Sequence, residues 1–222
     1  MKHIIKILFL LIGSKTYCQQ MIMFKDLPIP SPKIVNQKVD QWNKSQPDFN
    51  ALSDNERQFY YWVNYSRDNP AIFFDSAVEP IAEIYPQLKG QNLKSLEYDL
   101  KNSMPLTLLS LNNFLQQIAS LHAIDITNHN SSPSHNSTNG ETFVDRFKKF
   151  NLRSCGGENI SFGAGDSDPL FALVILYLDV NVPELGHRKA LLNPNYIYTG
   201  ISFSKYKNGN SFIVEDFACS QN

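Results

Sequence analysis

The stretch "DSDPLFALVILYLDV", residues 166–180, constrains the fold more than any other part of the chain. Asp168 suits a helix N-cap and Pro169 the first helical position. From Leu170 to Leu178 no face of such a helix is polar. A helix without a polar side cannot lie on a surface, so it must be covered on two sides. The chain has to supply layers above and below it.

The layers can be read around it. In "LSDNERQFYYWVNYSRDNP", Ser53 and Glu56 fit a capping box, and Phe59, Trp62, Val63 and Ser66 share one helical face. Asn69-Pro70 ends that helix, and Pro70 opens another over "PAIFFDSAVEP". Residues 80–103 read as a loop with short helical pieces. In "PLTLLSLNNFLQQIASLHAIDITNH", Leu108, Leu111, Leu115, Ile118 and His122 form one buried helical stripe. His122 on that stripe reads as a packed core histidine with one hydrogen bond. A polar loop, "NHNSSPSHNSTNGETF", follows, then a short helix offering Phe143, Phe147 and Phe150 to the interior. "GGENISFG" reads as a strand. "YTGISFSKYKNGNSFIVEDFA" reads as a hairpin turning at Asn208-Gly209. Helices on both faces of these strands predict an α/β fold, a three-layer α/β/α sandwich with a small, mainly antiparallel central sheet.

The N-terminal "MKHIIKILFLLIGSKTYCQQ" has a basic start and an apolar run too short to cross a bilayer, which predicts a signal peptide over residues 1–19. Residues 20–50, with "LPIPSPK", read as an extended N-terminal spacer or strap, and residues 51–222 as the domain. No other segment is long and apolar enough to be transmembrane. With 20 basic against 21 acidic residues, the formal charge of −1 carries no basic footprint for nucleic acid and no cationic patch for a membrane surface. The chain is expected to be secreted, extracellular or periplasmic. In that setting Cys155 and Cys219 are a candidate disulfide, the alternative being two buried thiols.

Polar residues at the ends of these elements form a candidate constellation. His135 lies in the loop "SPSHNSTNG", Glu158 in "GGENI", Asp179 and Glu184 in "LDVNVPELGH", and His187 in "GHR". Side chains at element ends can converge on one cleft. Two imidazoles with one or two carboxylates suit zinc or another divalent cation. By spacing alone this is a weak signal. Asn159 and Arg188 read as structural, and His129 as exposed.

Ser134-His135, Gly140, Asp145-Arg146, Gly157-Glu158-Asn159-Ile160 and Gly186-His187-Arg188 occur in an order that resembles the CAP superfamily. These are the cysteine-rich secretory, antigen 5 and pathogenesis-related group 1 proteins, and the similarity is strongest to bacterial members. "NERQFYYWVNYSRDNPAIF" is similar to the family's first helix, with its Asn and Arg at Asn64 and Arg67, and "LQQIASLHAIDI" to its second. The resemblance covers roughly residues 52–218. It implies a sandwich with a central cavity carrying two histidines and two acids, zinc-binding in some members. By position these are His135, His187 and Glu158, with Asp179 as the fourth by helix position and Glu184 as the alternative by nearness to His187. Relatives place a cysteine before the GEN motif, which favours a Cys155–Cys219 disulfide. The resemblance leaves two functions open. One is an extracellular binding module for a lipid, peptide or wall polymer. The other is a metal-dependent hydrolase with Glu158 as general base. The absence of a GxSxG elbow or an HExxH helix favours binding.

Overall fold

A computed structural model describes residues 28–33, 35–152 and 155–220. The expected signal peptide lies outside the described residues. The elements run α1 (Gln37–Lys44), α2 (Asp54–Asp68), α3 (Pro70–Phe73), α4 (Glu79–Ile84), α5 (Gln91–Asn102), β1 (Ser110–Leu111), α6 (Asn113–Asn128), α7 (Phe143–Lys149), β2 (Gly156–Gly163), α8 (Pro169–Leu178), α9 (Gly186–Leu191), β3 (Tyr198–Lys205) and β4 (Ser211–Ala218). Ser53 and Glu56 form the capping box of α2, and Asp168 caps α8 through the Phe171 N–H.

The sheet order is β1-β3-β4-β2. β4 is central and pairs antiparallel with both β2 and β3, while the two-residue β1 runs parallel to β3. Every residue of β4 is buried because both of its faces are covered. Phe212 and Val214 point to α6, where they meet Ala119, Ala123 and Ile126. Ile213 and Phe217 point the other way, into the main core with α2 and the apolar α8. This is the α/β layering that α8 demands.

α6 approaches the sheet very closely at Gly200 of β3. A Cβ there would stand 2.2 Å from both the Gln116 nitrogen and the Leu115 carbonyl carbon, which are backbone atoms that cannot step aside. The Gln116 side chain exploits this proximity. Its Nε2 donates to the Ile201 carbonyl at 2.5 Å and its Oε1 accepts from the Ile201 N–H at 2.9 Å. β1 is too short to pair that far along β3, so one side chain satisfies backbone groups that a longer strand would have met.

Two sequence expectations change. Residues 80–103 are not mainly loop, since α5 is a helix of 12 residues that buries Leu96 and Leu100. Their four-residue spacing, with Leu93 partly buried three residues earlier, is a helical stripe. The expected extended spacer, residues 20–50, is helical over Gln37–Lys44. Asn36 caps that helix, Val39 and Asn43 are buried, and Trp42 Nε1 donates to the Leu109 carbonyl at 2.9 Å. The proline-containing residues 28–32 ahead of it are not helical.

Cys155 and Cys219 lie in disulfide-bonding position, with Cα atoms 5.4 Å apart and a sequence separation of 64. The Cys219 N–H donates to the Cys155 carbonyl at 2.9 Å, so the link prolongs the β2–β4 ladder. Closing a loop of this length contributes about 4 kcal/mol by chain entropy. The Cys155→Ser/Cys219→Ser pair should therefore lose about that much stability in urea titration. Gly200→Ala should lose about 3 kcal/mol, the upper end of ordinary overpacking, in the same assay.

Candidate functional site

The loop between α6 and α7 carries His135 and is pinned from three directions. His122, 1% exposed on α6, bonds the Ser134 carbonyl through Nε2 at 2.8 Å. Asp125 accepts from the Thr138 N–H at 2.7 Å and from its hydroxyl at 2.6 Å. Arg146 of α7 donates from Nη1 to the His135 carbonyl, the Ser137 hydroxyl and the Glu141 carbonyl at 3.0–3.2 Å. His122 thus has a structural task, holding the neighbour of His135. Burial lowers the basicity of its imidazole.

The first pair is His135 with Glu158. Glu158 sits on β2, its side chain 1% exposed. Its Oε1 is 2.9 Å from His135 Nδ1, and its Oε2 accepts from Arg146 Nη2 at 2.5 Å. Burial pushes the carboxyl up, but the His135 hydrogen bond and the Arg146 charge outweigh it. The group therefore lies below the usual glutamate range. The His135 side chain is 52% exposed.

The second pair is His187 with Asp179. Asp179 ends α8 in a left-handed conformation, φ 50°, which aspartate tolerates better than most residues. It is 1% exposed; Oδ1 is 2.5 Å from His187 Nδ1, and Oδ2 accepts the Arg188 N–H at 2.9 Å. Leu185, also left-handed at φ 52°, turns the chain into α9 just before His187. A branched apolar residue there is strained, and such strain gathers at sites. Arg188 donates to the Tyr177 carbonyl, Ser95, the Asn92 carbonyl and Asp99, tying α8 to α5. Glu184 is exposed and makes no ion pair among the described residues. Asn159, next to Glu158, donates to the His187 carbonyl at 3.4 Å and so links the two pairs.

The four predicted donors form two imidazole–carboxylate pairs rather than one shell. Among the described residues no group of three or more His, Cys, Asp and Glu side chains is placed to hold a metal ion. Both carboxylates already bind nitrogen, so they do not fit as two first-sphere metal ligands. The ring Nε2 atoms of His135 and His187 carry no hydrogen bond among the described residues.

β4 contributes two acids that the sequence reading missed. Asp216 is cross-strand from Glu158 and equally faces α6; Glu215 is cross-strand from Asn159 and faces α2 and α8. Both are fully buried, and among the described residues none of their carboxyl oxygens has a hydrogen-bond partner. Burial, then the charge of Glu158, push the Asp216 carboxyl well above the usual aspartate range.

The sequence matches the profile of the cysteine-rich secretory protein family, CAP, over residues 63–217. The chain belongs to the CAP family. Three solved structures are similar to this CAP chain at low identity. An extracellular SCP-domain protein of Bacillus anthracis has 22% identity and a TM-score of 0.45; the match covers 79% of this chain and 44% of that one. An outer surface protein of Borrelia burgdorferi has 21% identity and a TM-score of 0.44, covering 65% and 94%. Venom allergen-like protein 4 of Schistosoma mansoni has 17% identity and a TM-score of 0.43, covering 77% and 92%. This chain therefore spans under half the length of the Bacillus protein. No curated protein matches the sequence.

Glu215 makes a pH test of this CAP core. Burial pushes its carboxyl up to about 8, against 4.5 ordinarily, and the nearby Arg67, Thr199 and Asn159 only partly offset it. Below pH 4.5 folded and unfolded chains both hold the proton, and nothing is lost. As pH rises toward 8 the unfolded chain ionises while the folded one does not, so Glu215 costs stability that grows with pH. Glu215→Gln should therefore leave the unfolding free energy from urea titration unchanged in acid and raise it progressively up to pH 8, by on the order of a few kcal/mol. A pH-independent difference would mean that Glu215 is ionised against Arg67.

Proposed function

We propose that this chain is a secreted binding module, whose ligand is a lipid, peptide or wall polymer met outside the cell. The reading rests on one observation. Glu158 and Asp179 stand behind the two histidines as buried hydrogen-bond anchors, leaving imidazole edges as the groups available to a ligand. Family membership supports the extracellular setting. The 52% exposure of the His135 side chain supports direct contact with a ligand.

The alternative, a metal-dependent hydrolase, needs Glu158 free to accept a proton near neutral pH. Its oxygens are already engaged by His135 and Arg146, and its basicity is depressed. A general base works best with a pKa near the operating pH. Zinc remains as a second reading for binding alone. A carboxylate on Nδ1 with Nε2 unengaged is the usual second-sphere arrangement of a metal-bound histidine. His135 and His187 would then be the protein donors, with Glu158 and Asp179 orienting them.

The test follows the ring protons of both histidines by NMR. The additions are phosphatidylglycerol vesicles, a soluble peptide library, peptidoglycan fragments and zinc, each separately. One organic class should shift both histidines saturably, and His135→Ala should weaken that binding about tenfold, near 1.4 kcal/mol. Peptide turnover that disappears in Glu158→Gln would overturn the reading in favour of the hydrolase. A one-site zinc response lost in the His135→Ala/His187→Ala variant would establish the second reading.

A further inference from the structure

α1, α2, the first turn of α8 and the flanking Ser31 and Phe49 line a half-open pocket of about 230 Å³, and none of its lining residues belongs to either histidine pair. Phe49, Tyr61 and Trp62 give it aromatic surface, while Asp40, Asn43 and Arg57 give it polar groups. Tyr61 and Trp62 meet edge to face with centroids 4.8 Å apart, and Trp62 packs likewise on Tyr65 at 5.6 Å, which fixes the indole. The Trp42 N–H is bonded to the Leu109 carbonyl, but the Trp62 N–H has no partner among the described residues. Asn43 is 1% exposed; its Oδ1 accepts from Asn64 at 2.9 Å, yet its Nδ2 has no acceptor among the described residues. A buried amide donor without an acceptor is unfavourable unless a water or ligand answers it.

The charges here are already matched. Arg57 donates to the Leu52 carbonyl and to Asp54, and Asp40 accepts from Lys44 at 2.8 Å. An anion would meet the carboxylates of Asp40 and Asp168. A lipid tail would leave the polar lining unanswered. A quaternary ammonium could use the rings and the acids, but it has no acceptor for the Trp62 or Asn43 N–H. A pyranose ring suits both halves of the lining. Its C–H face stacks on an aromatic side chain, and its hydroxyls donate and accept at once.

We infer that this cavity is a saccharide subsite, taking one ring of a neutral glycan against Trp62 with hydroxyls toward Asp40, Asn43 and Arg57. It is a second site, separate from the histidine pairs.

The chain has two tryptophans, Trp42 and Trp62, so its indole N–H signals report the site directly. The full chain, ¹⁵N-labelled, is titrated separately with an N-acetylglucosamine trimer, maltotriose and choline chloride. The Trp62 indole signal should move saturably with a trisaccharide while that of Trp42 stays. Trp62→Ala should abolish the response followed at backbone amides of α1 and α2. Gln58→Ala, an exposed lining residue without a side-chain hydrogen bond among the described residues, should weaken binding while the melting temperature holds. The loss should be about three- to tenfold, the worth of one neutral hydrogen bond. No movement of Trp62 with either trisaccharide, movement with choline alone, or saccharide shifts confined to His135 and His187 would each overturn the inference. A failure here leaves the reading of the histidine pairs untouched, because the two share no residue.

Discussion

Burying Glu158 requires a cation, and Arg146 is that cation. A carboxylate with only 1% of its side chain exposed would be strongly destabilising alone, and the guanidinium at 2.5 Å makes it tolerable. That pairing organises its surroundings. It fixes α7 against β2, and the remaining Arg146 donors then gather the His135–Glu141 loop carbonyls. It also explains Asp216. With the Glu158 carboxylate across the ladder, a second buried negative charge is disfavoured, which together with burial raises the Asp216 carboxyl well above the usual range. Removing Arg146 would remove the reason for three other side chains to hold their present states.

The second pair depends on backbone rather than on a neighbouring cation. Asp179 receives the Arg188 N–H as well as His187, and it reaches both because its left-handed φ of 50° ends α8 and redirects the chain. The last carbonyls of α8 are met from outside: Asn92 of α5 bonds those of Leu178 and Asp179, and Arg188 bonds that of Tyr177. α5 therefore anchors the end of the apolar helix on which Asp179 is mounted. The loop expected at residues 80–103 would have had no means of doing this.

What was legible in the sequence follows from local physics. Capping at Ser53 and Asp168, the Asn208-Gly209 turn and the Leu115, Ile118 and His122 part of the α6 stripe each depend on a few neighbouring residues and appear where those residues place them, whereas Leu108 and Leu111 precede the helix, Leu111 in β1. The role of His122 as a buried core residue was legible for the same reason, although it makes two hydrogen bonds, to the Ser134 carbonyl and the Ser137 hydroxyl, rather than the one expected. α5 was hidden because its stripe is sparse, with Leu96 and Leu100 the only buried residues among polar ones. Glu215 and Asp216 were hidden more deeply. Two adjacent acids in "SFIVEDFA" look like a solvated strand end, and only the strand order, which puts β4 between β3 and β2 under helices on both sides, buries them. The pairing of each histidine with its own carboxylate is likewise a fact of register and turn geometry, which spacing along the chain does not encode.

These buried acids also bear on what the site can do. Around Glu158 the two acids diverge: its own carboxyl lies below the usual range beside the Arg146 guanidinium, and that of Asp216 lies well above it. Around Glu215 the carboxyl is protonated up to about pH 8, beside Arg67, whose five donors are largely taken by the carbonyls of Thr107, Leu191, Asn193 and Tyr196. Acid–base chemistry needs a group that can gain or lose a proton at little cost during a cycle. Glu158 is instead pushed below the usual glutamate range by its partners, while burial pushes Glu215 and Asp216 above theirs. The imidazoles of His135 and His187 are the groups left able to respond to a ligand, each oriented through Nδ1. Two rings held through Nδ1 by buried carboxylates need little reorganisation on meeting a ligand, which is what the proposed binding reading rests on.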